Sequence, residues 1–206
     1  MFACLDPRPG PSKKVGGRAG TTALALSGRF KFNQEALDTA PCAVAYFLRH
    51  YSCMSLLITT PLGGITLRLR PDAAPTTAAY ITKLVQHKLY DGASFYRSDF
   101  VIQMGTHGMN RPNPEGDLKV NETKSNKIVS NTRGTAAVAH WDVPDCGNSE
   151  FFINLGTNAH LDDAYGGYCV FADIPESDAT SFATVDAIAA EIKKAGKVPI
   201  QSVTVQ

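Results

Sequence analysis

Arg97 has the chemical setting that stands out in this sequence. It follows Phe95 and Tyr96 and precedes the run Phe100-Val101-Ile102-Gln103. A guanidinium stays charged at any working pH and offers several N–H donors in a rigid fork, and apolar neighbours strengthen the hydrogen bonds it makes. Taken alone, Arg97 reads as the partner in a surface ion pair, and it is the flanking residues that point to chemistry. Other chemistries find less support. The five histidines (His50, His87, His107, His140, His160) show no H-x-x-x-H spacing and the five cysteines form no C-x-x-C pair, so no metal site and no cofactor is expected. No G-x-S-x-G, phosphate-binding P-loop or G-x-G-x-x-G occurs. Cys146 falls in a loop, where it is open to oxidation, whereas Cys169 lies on a strand and reads as a small buried apolar residue.

Charge and composition narrow the class. With 20 Lys and Arg against 19 Asp and Glu in 206 residues, the net charge is +1, too small a field to make nucleic acid or a membrane surface the main partner. No apolar run approaches the ~20 residues of a membrane helix. Residues 1–53 carry seven basic against three acidic side chains, hence +4, which leaves about −3 for the remainder. This first stretch opens with closely spaced Pro and Gly and has no sustained period. It reads as an N-terminal extension, either disordered or an organellar transit-like segment, or as the result of an upstream start before Met54. The odd cysteine count argues against a complete disulfide framework and for a reducing compartment, cytoplasmic or organellar.

From Met54 the pattern becomes regular. Ser55 to Thr59 and Ile65 to Arg70 alternate apolar and polar residues around Pro61-Leu62-Gly63-Gly64, which predicts a hairpin. Pro75 opens a helix with Tyr80, Ile81, Leu84 and Val85 on one face, expected to stop near Asp91-Gly92. Short apolar runs at Phe95-Tyr96, Phe100 to Met104, Thr135 to His140, Phe151 to Leu155 and Tyr168 to Ile174 read as strands. A second helix is expected from about Ser181 to Ala195, ended by Gly196, and Ser202 to Val205 closes as a last strand. These elements predict an all-β body with two helices, a closed barrel whose ends the helices cover rather than a sandwich. The stretch from His107 to Ser130 is expected to be a long surface loop of functional use.

Four segments in order resemble the cyclophilin family of peptidyl-prolyl cis-trans isomerases: Phe95-Tyr96-Arg97 with Phe100 to Gln103, Asn131 to Thr135 with Val138-Ala139-His140, Ser149-Glu150-Phe151-Phe152-Ile153-Asn154, and Gly167 to Ala172. The pattern is closest to the compact bacterial-type members. The resemblance implies an eight-stranded antiparallel closed barrel capped by two α-helices, spanning residues 54–206. It implies a filled interior and an active groove on the outer wall. It also implies that Arg97 is catalytic and that Phe100, Val101, Gln103, Ala139, His140, Glu150, Phe152, His160, Leu161 and Tyr168 bind substrate. Strand alternation allows only one of Phe151 and Phe152 to face the groove, and Phe151 is assigned to the core. His140 is expected to act at the groove edge through its backbone. The implied partners are proline-containing peptides and unfolded or client proteins, bound by a monomer.

Some residues depart from the family pattern. Only Ser98 and Asp99 separate Arg97 from Phe100, a turn two residues shorter than usual, and Asp99 is placed to draw the guanidinium aside. Met104-Gly105 replaces a Gly-Gly pair, and Glu150 replaces a glutamine. His160 stands where many eukaryotic members have a cyclosporin-contacting tryptophan, so weak cyclosporin binding is expected. Two functions remain open on these residues: an isomerase, or a proline-peptide binding module without turnover.

Overall fold

The computed structural model describes residues 54–125 and 128–206; the N-terminal extension expected over residues 1–53 lies outside the described residues. Strand β1 (Ser55–Thr60) and β2 (Gly63–Leu69) form the expected hairpin, in register from Ser55 opposite Arg68 to Thr60 opposite Gly63. The period-2 pattern sends Leu56, Ile58, Ile65, Leu67 and Leu69 inward, each at most 1% exposed. Helix α1 (Pro75–Gln86) buries Tyr80, Ile81, Leu84 and Val85 as the 3.6-residue spacing requires. It ends four residues or so earlier than expected, capped at His87 by backbone bonds.

The remaining strands are β3 (Ser94–Ser98), β4 (Val101–Gly105), β5 (Thr135–Val138), β6 (Phe151–Asn154), β7 (Val170–Asp173), β8 (Val198–Pro199) and β9 (Ser202–Val205). Helix α2 (Ala179–Ala195) lies against β2 and β3. Its N-terminus is capped by the Asp178 carboxylate, which accepts from the Ser181 amide at 3.0 Å, and Gly196 in the left-handed region ends it.

The expected closed eight-stranded barrel is corrected to an open, curled nine-stranded antiparallel sheet in the order β8-β3-β4-β6-β5-β7-β2-β1-β9. The ninth strand arises because the C-terminal segment is divided. Val198–Pro199 pairs with β3 at one edge, and two residues later Ser202–Val205 pairs with β1 at the other. Pro199 has no N–H to donate, so one uninterrupted ladder cannot run through this segment. The Ile200 amide instead donates to the Ala93 carbonyl and the Gln201 amide to the Thr59 carbonyl, both at 2.8 Å.

The concave side is filled by one apolar cluster of described residues that includes Phe95, Ile102, Met104, Phe151, Ile153 and Phe171. Phe151 meets Tyr90 and Phe171 edge to face, with ring centroids 5.6 and 5.4 Å apart. The Tyr90 hydroxyl lies in this cluster with no hydrogen-bond partner among the described residues. An unmatched buried hydroxyl costs about 1–3 kcal/mol, so Tyr90→Phe is expected to leave stability unchanged or raise it by about 1 kcal/mol in urea denaturation. A loss of more than that amount would reveal a partner for the hydroxyl.

Candidate active site

A second, smaller apolar cluster sits on the outer face of the same sheet. Val101, Ala137, Phe152, Leu161 and Val170 are all buried there, with Val129, Ala139 and Tyr168 partly buried around them. The strand period creates it. Along β4, Ile102 and Met104 go to the interior while Val101 and Gln103 go outward, and along β6 Phe151 goes inward while Phe152 goes outward. Gln103 lies opposite Phe152, and Phe152 opposite Ala137, so three neighbouring strands contribute to one shelf.

Arg97 reaches the edge of this shelf through an irregularity in β3. Phe95 pairs with Met104 and Arg97 with Gln103, so Tyr96 is an extra residue with no cross-strand partner. A bulge of this kind bends the strand and breaks its alternation. Phe95 remains fully buried, while Tyr96 and Arg97, though adjacent, both reach the outward side chain of Gln103.

The guanidinium is held by three contacts. Nε donates to Asp99 Oδ2 at 2.8 Å, Nη2 pairs with the same oxygen at 2.7 Å, and Nη1 donates to Gln103 Oε1 at 3.1 Å. Its central carbon lies 5.6 Å from the centre of the Phe100 ring. A guanidinium has five N–H groups, so one hydrogen on Nη1 and one on Nη2 remain for a ligand. Asp99 also builds the shortened turn: its amide donates to the Val101 carbonyl, and its Oδ1 accepts from the Val101 amide, both at 3.1 Å. The aspartate therefore draws the guanidinium without carrying it off the shelf. Phe100 is 42% exposed and stands free as the outer lip, meeting His160 edge to face at 5.5 Å.

Leu161 enters the cluster from a short 3₁₀ turn (Ala159–Asp162), which a buried amide network fastens to the sheet. Asn154, wholly buried, donates to Asn131 Oδ1 at 3.0 Å and accepts from Asn158 Nδ2 at 2.8 Å. Asp162 Oδ1 accepts from the Asn131 amide at 2.8 Å and its side chain at 2.9 Å, and Asp162 Oδ2 accepts from Ser130 Oγ. Sequence reasoning found Asn131 and Asn154 only as parts of recurring segments and did not see them as one network with Asn158 and Asp162. No local period relates residues 23 positions apart.

The far wall of the groove is a junction of three loops at Gly167. Its carbonyl accepts from Asn121 Nδ2 at 2.7 Å and lies 3.0 Å from His140 Nε2. Gly167 has φ +89°, and a Cβ there would come within 2.4 Å of the Asp162 carbonyl oxygen and 2.5 Å of Thr123, so only glycine fits. His140 Nδ1 lies 2.6 Å from the Trp141 carbonyl, and the ring stacks on Tyr168 at 4.2 Å. The His140 ring and its backbone carbonyl both lie along this wall. Its carbonyl faces the Tyr168 hydroxyl at 3.4 Å.

Glu150 is not on the shelf. Its carboxylate turns under Tyr96, accepting the Tyr96 hydroxyl at 2.6 Å, because Gly105 beside it leaves the space: a Cβ there would lie 2.2 Å from the carboxylate. Burial pushes the Glu150 carboxyl above its ordinary value and the Tyr96 hydroxyl above its own. Burial likewise pushes the Cys169 thiol up to about 11, as befits a buried apolar side chain. Ala139 stays partly buried at the margin.

Residues 55–206 match the family model described as cyclophilin type peptidyl-prolyl cis-trans isomerase/CLD. The chain belongs to this family. It is 34% identical over 119 residues to a peptidyl-prolyl cis-trans isomerase of Acinetobacter baylyi, covering 56% of this chain and 63% of that protein. It is 31% identical over 121 residues to peptidyl-prolyl cis-trans isomerase B of Escherichia coli, covering 54% of this chain and 72% of that one. The alignments thus span under two thirds of the length of the Acinetobacter relative and somewhat more of the Escherichia one. Among solved structures, a cyclophilin-type isomerase of Cryptosporidium parvum, crystallised in the presence of the dipeptide Ala-Pro, shares the fold with a TM-score of 0.62. Its identity is 18%, and the match covers 74% of this chain and 98% of that one.

The Asp162 contacts carry a testable consequence. Burial would raise its carboxyl, but the bonds from Ser130 and Asn131 outweigh it and hold the carboxyl below its ordinary value. A depressed carboxyl stabilises the fold above its unfolded-state pKa, and that contribution is lost as pH falls through the folded value. Asp162→Asn is expected to lower the thermal midpoint at neutral pH. Its deficit relative to wild type should shrink below about pH 4, the ordinary carboxylate range; a deficit independent of pH would contradict this account.

Proposed function

We propose that this protein accelerates cis-trans rotation of Xaa-Pro bonds in protein and peptide substrates, with Arg97 as the catalytic residue. One observation carries the reading. A guanidinium with two N–H groups to spare sits at the edge of an apolar shelf that is separate from the interior core.

Rotation about a peptide bond costs about 18–20 kcal/mol because the nitrogen shares its lone pair with the carbonyl, and Xaa-Pro bonds isomerise over about tens to hundreds of seconds unaided. Twisting breaks this conjugation. The prolyl nitrogen then becomes pyramidal and basic, and a fixed cation that donates a hydrogen bond to it favours the twisted state over the planar one. No nucleophile or proton transfer is needed. One free N–H of Arg97 serves this nitrogen, and the other is available to a neighbouring carbonyl.

The proline ring must be gripped while the acyl side turns. Val101, Phe152 and Leu161 give the floor for it, Phe100 the lip, and Ala139, His140 and Tyr168 the far wall against which the preceding residues lie. Gln103 holds Arg97, and Glu150 acts behind it rather than on substrate. The close pairing of Arg97 with Asp99 favours the alternative of a binding module, since it spends part of the guanidinium's charge. Both side chains are nearly half exposed, however, so solvent already screens the pair and little is lost to a ligand.

Replacing Arg97 with Ala is expected to lower kcat/KM by about 10²–10³-fold in a protease-free assay on an Ala-Pro peptide, while peptide affinity changes little. Wild-type protein that binds the peptide but leaves isomerisation at the uncatalysed rate would select the binding module instead. His160, exposed beside Phe100, offers a small polar ring where a large apolar one grips cyclosporin in many relatives. Calorimetry is expected to find weak binding of the drug and a tighter complex for His160→Trp. A tight wild-type complex would overturn this. Residues 1–53 are read as an extension of transit-like composition, and no helix among the described residues is long and apolar enough to cross a membrane.

A further inference from the structure

Behind Arg97 runs a chain of side chains through Gln103 and Tyr96 that ends on Glu150. Arg97 Nη1 donates to Gln103 Oε1 at 3.1 Å, Gln103 Nε2 to the Tyr96 hydroxyl oxygen at 2.6 Å, and that hydroxyl to Glu150 Oε2 at 2.6 Å. The carboxylate at one end and the guanidinium at the other agree on the direction of every bond. An ionised carboxylate only accepts, so Tyr96 must donate to it, and the Tyr96 oxygen is left with lone pairs that require the NH₂ end of Gln103. The oxygen of Gln103 then faces Arg97, the one orientation in which it can hold a group that has donors alone. The backbone amides of Thr106 and His107 also point at the Glu150 carboxylate.

We propose that Glu150 is a positioning residue for Arg97, fixing through Tyr96 and Gln103 the amide orientation that anchors the guanidinium against the pull of Asp99. The inference rests on the reading of Arg97 as the catalytic residue. Other groups facing Glu150 are His107, whose ring lies 5.1 Å from that of Tyr96, and Tyr90 from the segment before β3. When Glu150 takes up a proton it gains a donor, Tyr96 no longer has to donate to it, and only the guanidinium is left to hold the Gln103 orientation. In Glu150→Gln the amide oxygen turns to the Thr106 and His107 amides and its NH₂ group meets Tyr96, with the same result.

Burial places the Glu150 carboxyl above its ordinary value, so the ionised state is lost as pH falls through that raised value. The wild-type kcat/KM is accordingly expected to drop on the acid side with an inflection above the ordinary carboxylate range. Glu150→Gln and Tyr96→Phe are each expected to lower kcat/KM about tenfold, with KM little changed and the acid inflection gone. The thermal midpoint of Glu150→Gln should hold, because a partly buried charge has been removed. In NMR spectra of the wild type, the Gln103 side-chain amide should shift with the same inflection, and in Tyr96→Phe it should not.

Wild-type rates and pH profiles in both variants, or a Gln103 amide that does not titrate, would overturn the inference. So would a loss of activity matched by a loss of thermal stability in both. An Arg97→Ala protein of undiminished activity would sink the catalytic reading itself, whereas an impaired Arg97→Ala beside two unimpaired variants would sink this inference alone. If Glu150→Gln does not fold, Tyr96→Phe and the wild-type amide titration decide it.

Discussion

Where β3 runs beside β4, Tyr96 has no cross-strand partner, and the outer wall of the sheet depends on that single unpaired residue. Strict alternation after Phe95 would put Tyr96 outward and Arg97 inward, burying a guanidinium among Ile102, Met104 and Phe151 at prohibitive cost. The bulge removes that conflict. It gives the outer face two consecutive polar side chains, Tyr96 and Arg97, that both bond Gln103, while Phe95 keeps its place in the core.

The same sheet thus carries two unlike surfaces. Its concave side is closed by α1, α2 and the large side chains of the core, and its convex side bears a small apolar shelf that is incomplete without loops. Those loops are held by polar contacts: the Asn131, Asn154, Asn158 and Asp162 network seats Leu161, and the Gly167 carbonyl joins the segments at Asn121 and His140. Buried amides fully matched to one another specify one arrangement, since any other leaves them unpaired. Apolar contacts alone would tolerate several arrangements, so the rigid groove is a polar construction and its floor an apolar one.

Asp99 shows how a shortened turn alters a site without dismantling it. Two fewer residues between Arg97 and Phe100 require a new way to close the turn, and the aspartate does so with its own amide and carboxylate. That places a negative charge against the guanidinium. Gln103 on the other side supplies a counter-anchor, and the arginine is left between the two with donors to spare.

Much of this is legible in the sequence. The alternation in β1 and β2, the apolar faces of both helices, and the placing of Phe151 and Phe152 on opposite faces follow from periods of 2 and 3.6 residues, which are properties of the local chain; which of the two faces inward came from the resemblance. The aromatic run around Arg97 could be read as a place where a cation meets an apolar surface. What folding alone decided lies where distant segments meet. Pro199 divides the last strand and leaves the sheet open, because a missing N–H matters only once the edges it would join are near. Glu150, which the resemblance implied as a substrate contact, turns under Tyr96, because Gly105, 45 residues away, leaves the space for it. Periodicity fixes which face a side chain takes; which carboxylate meets which hydroxyl across strands depends on register and bulges, and these are settled only when the whole sheet has assembled.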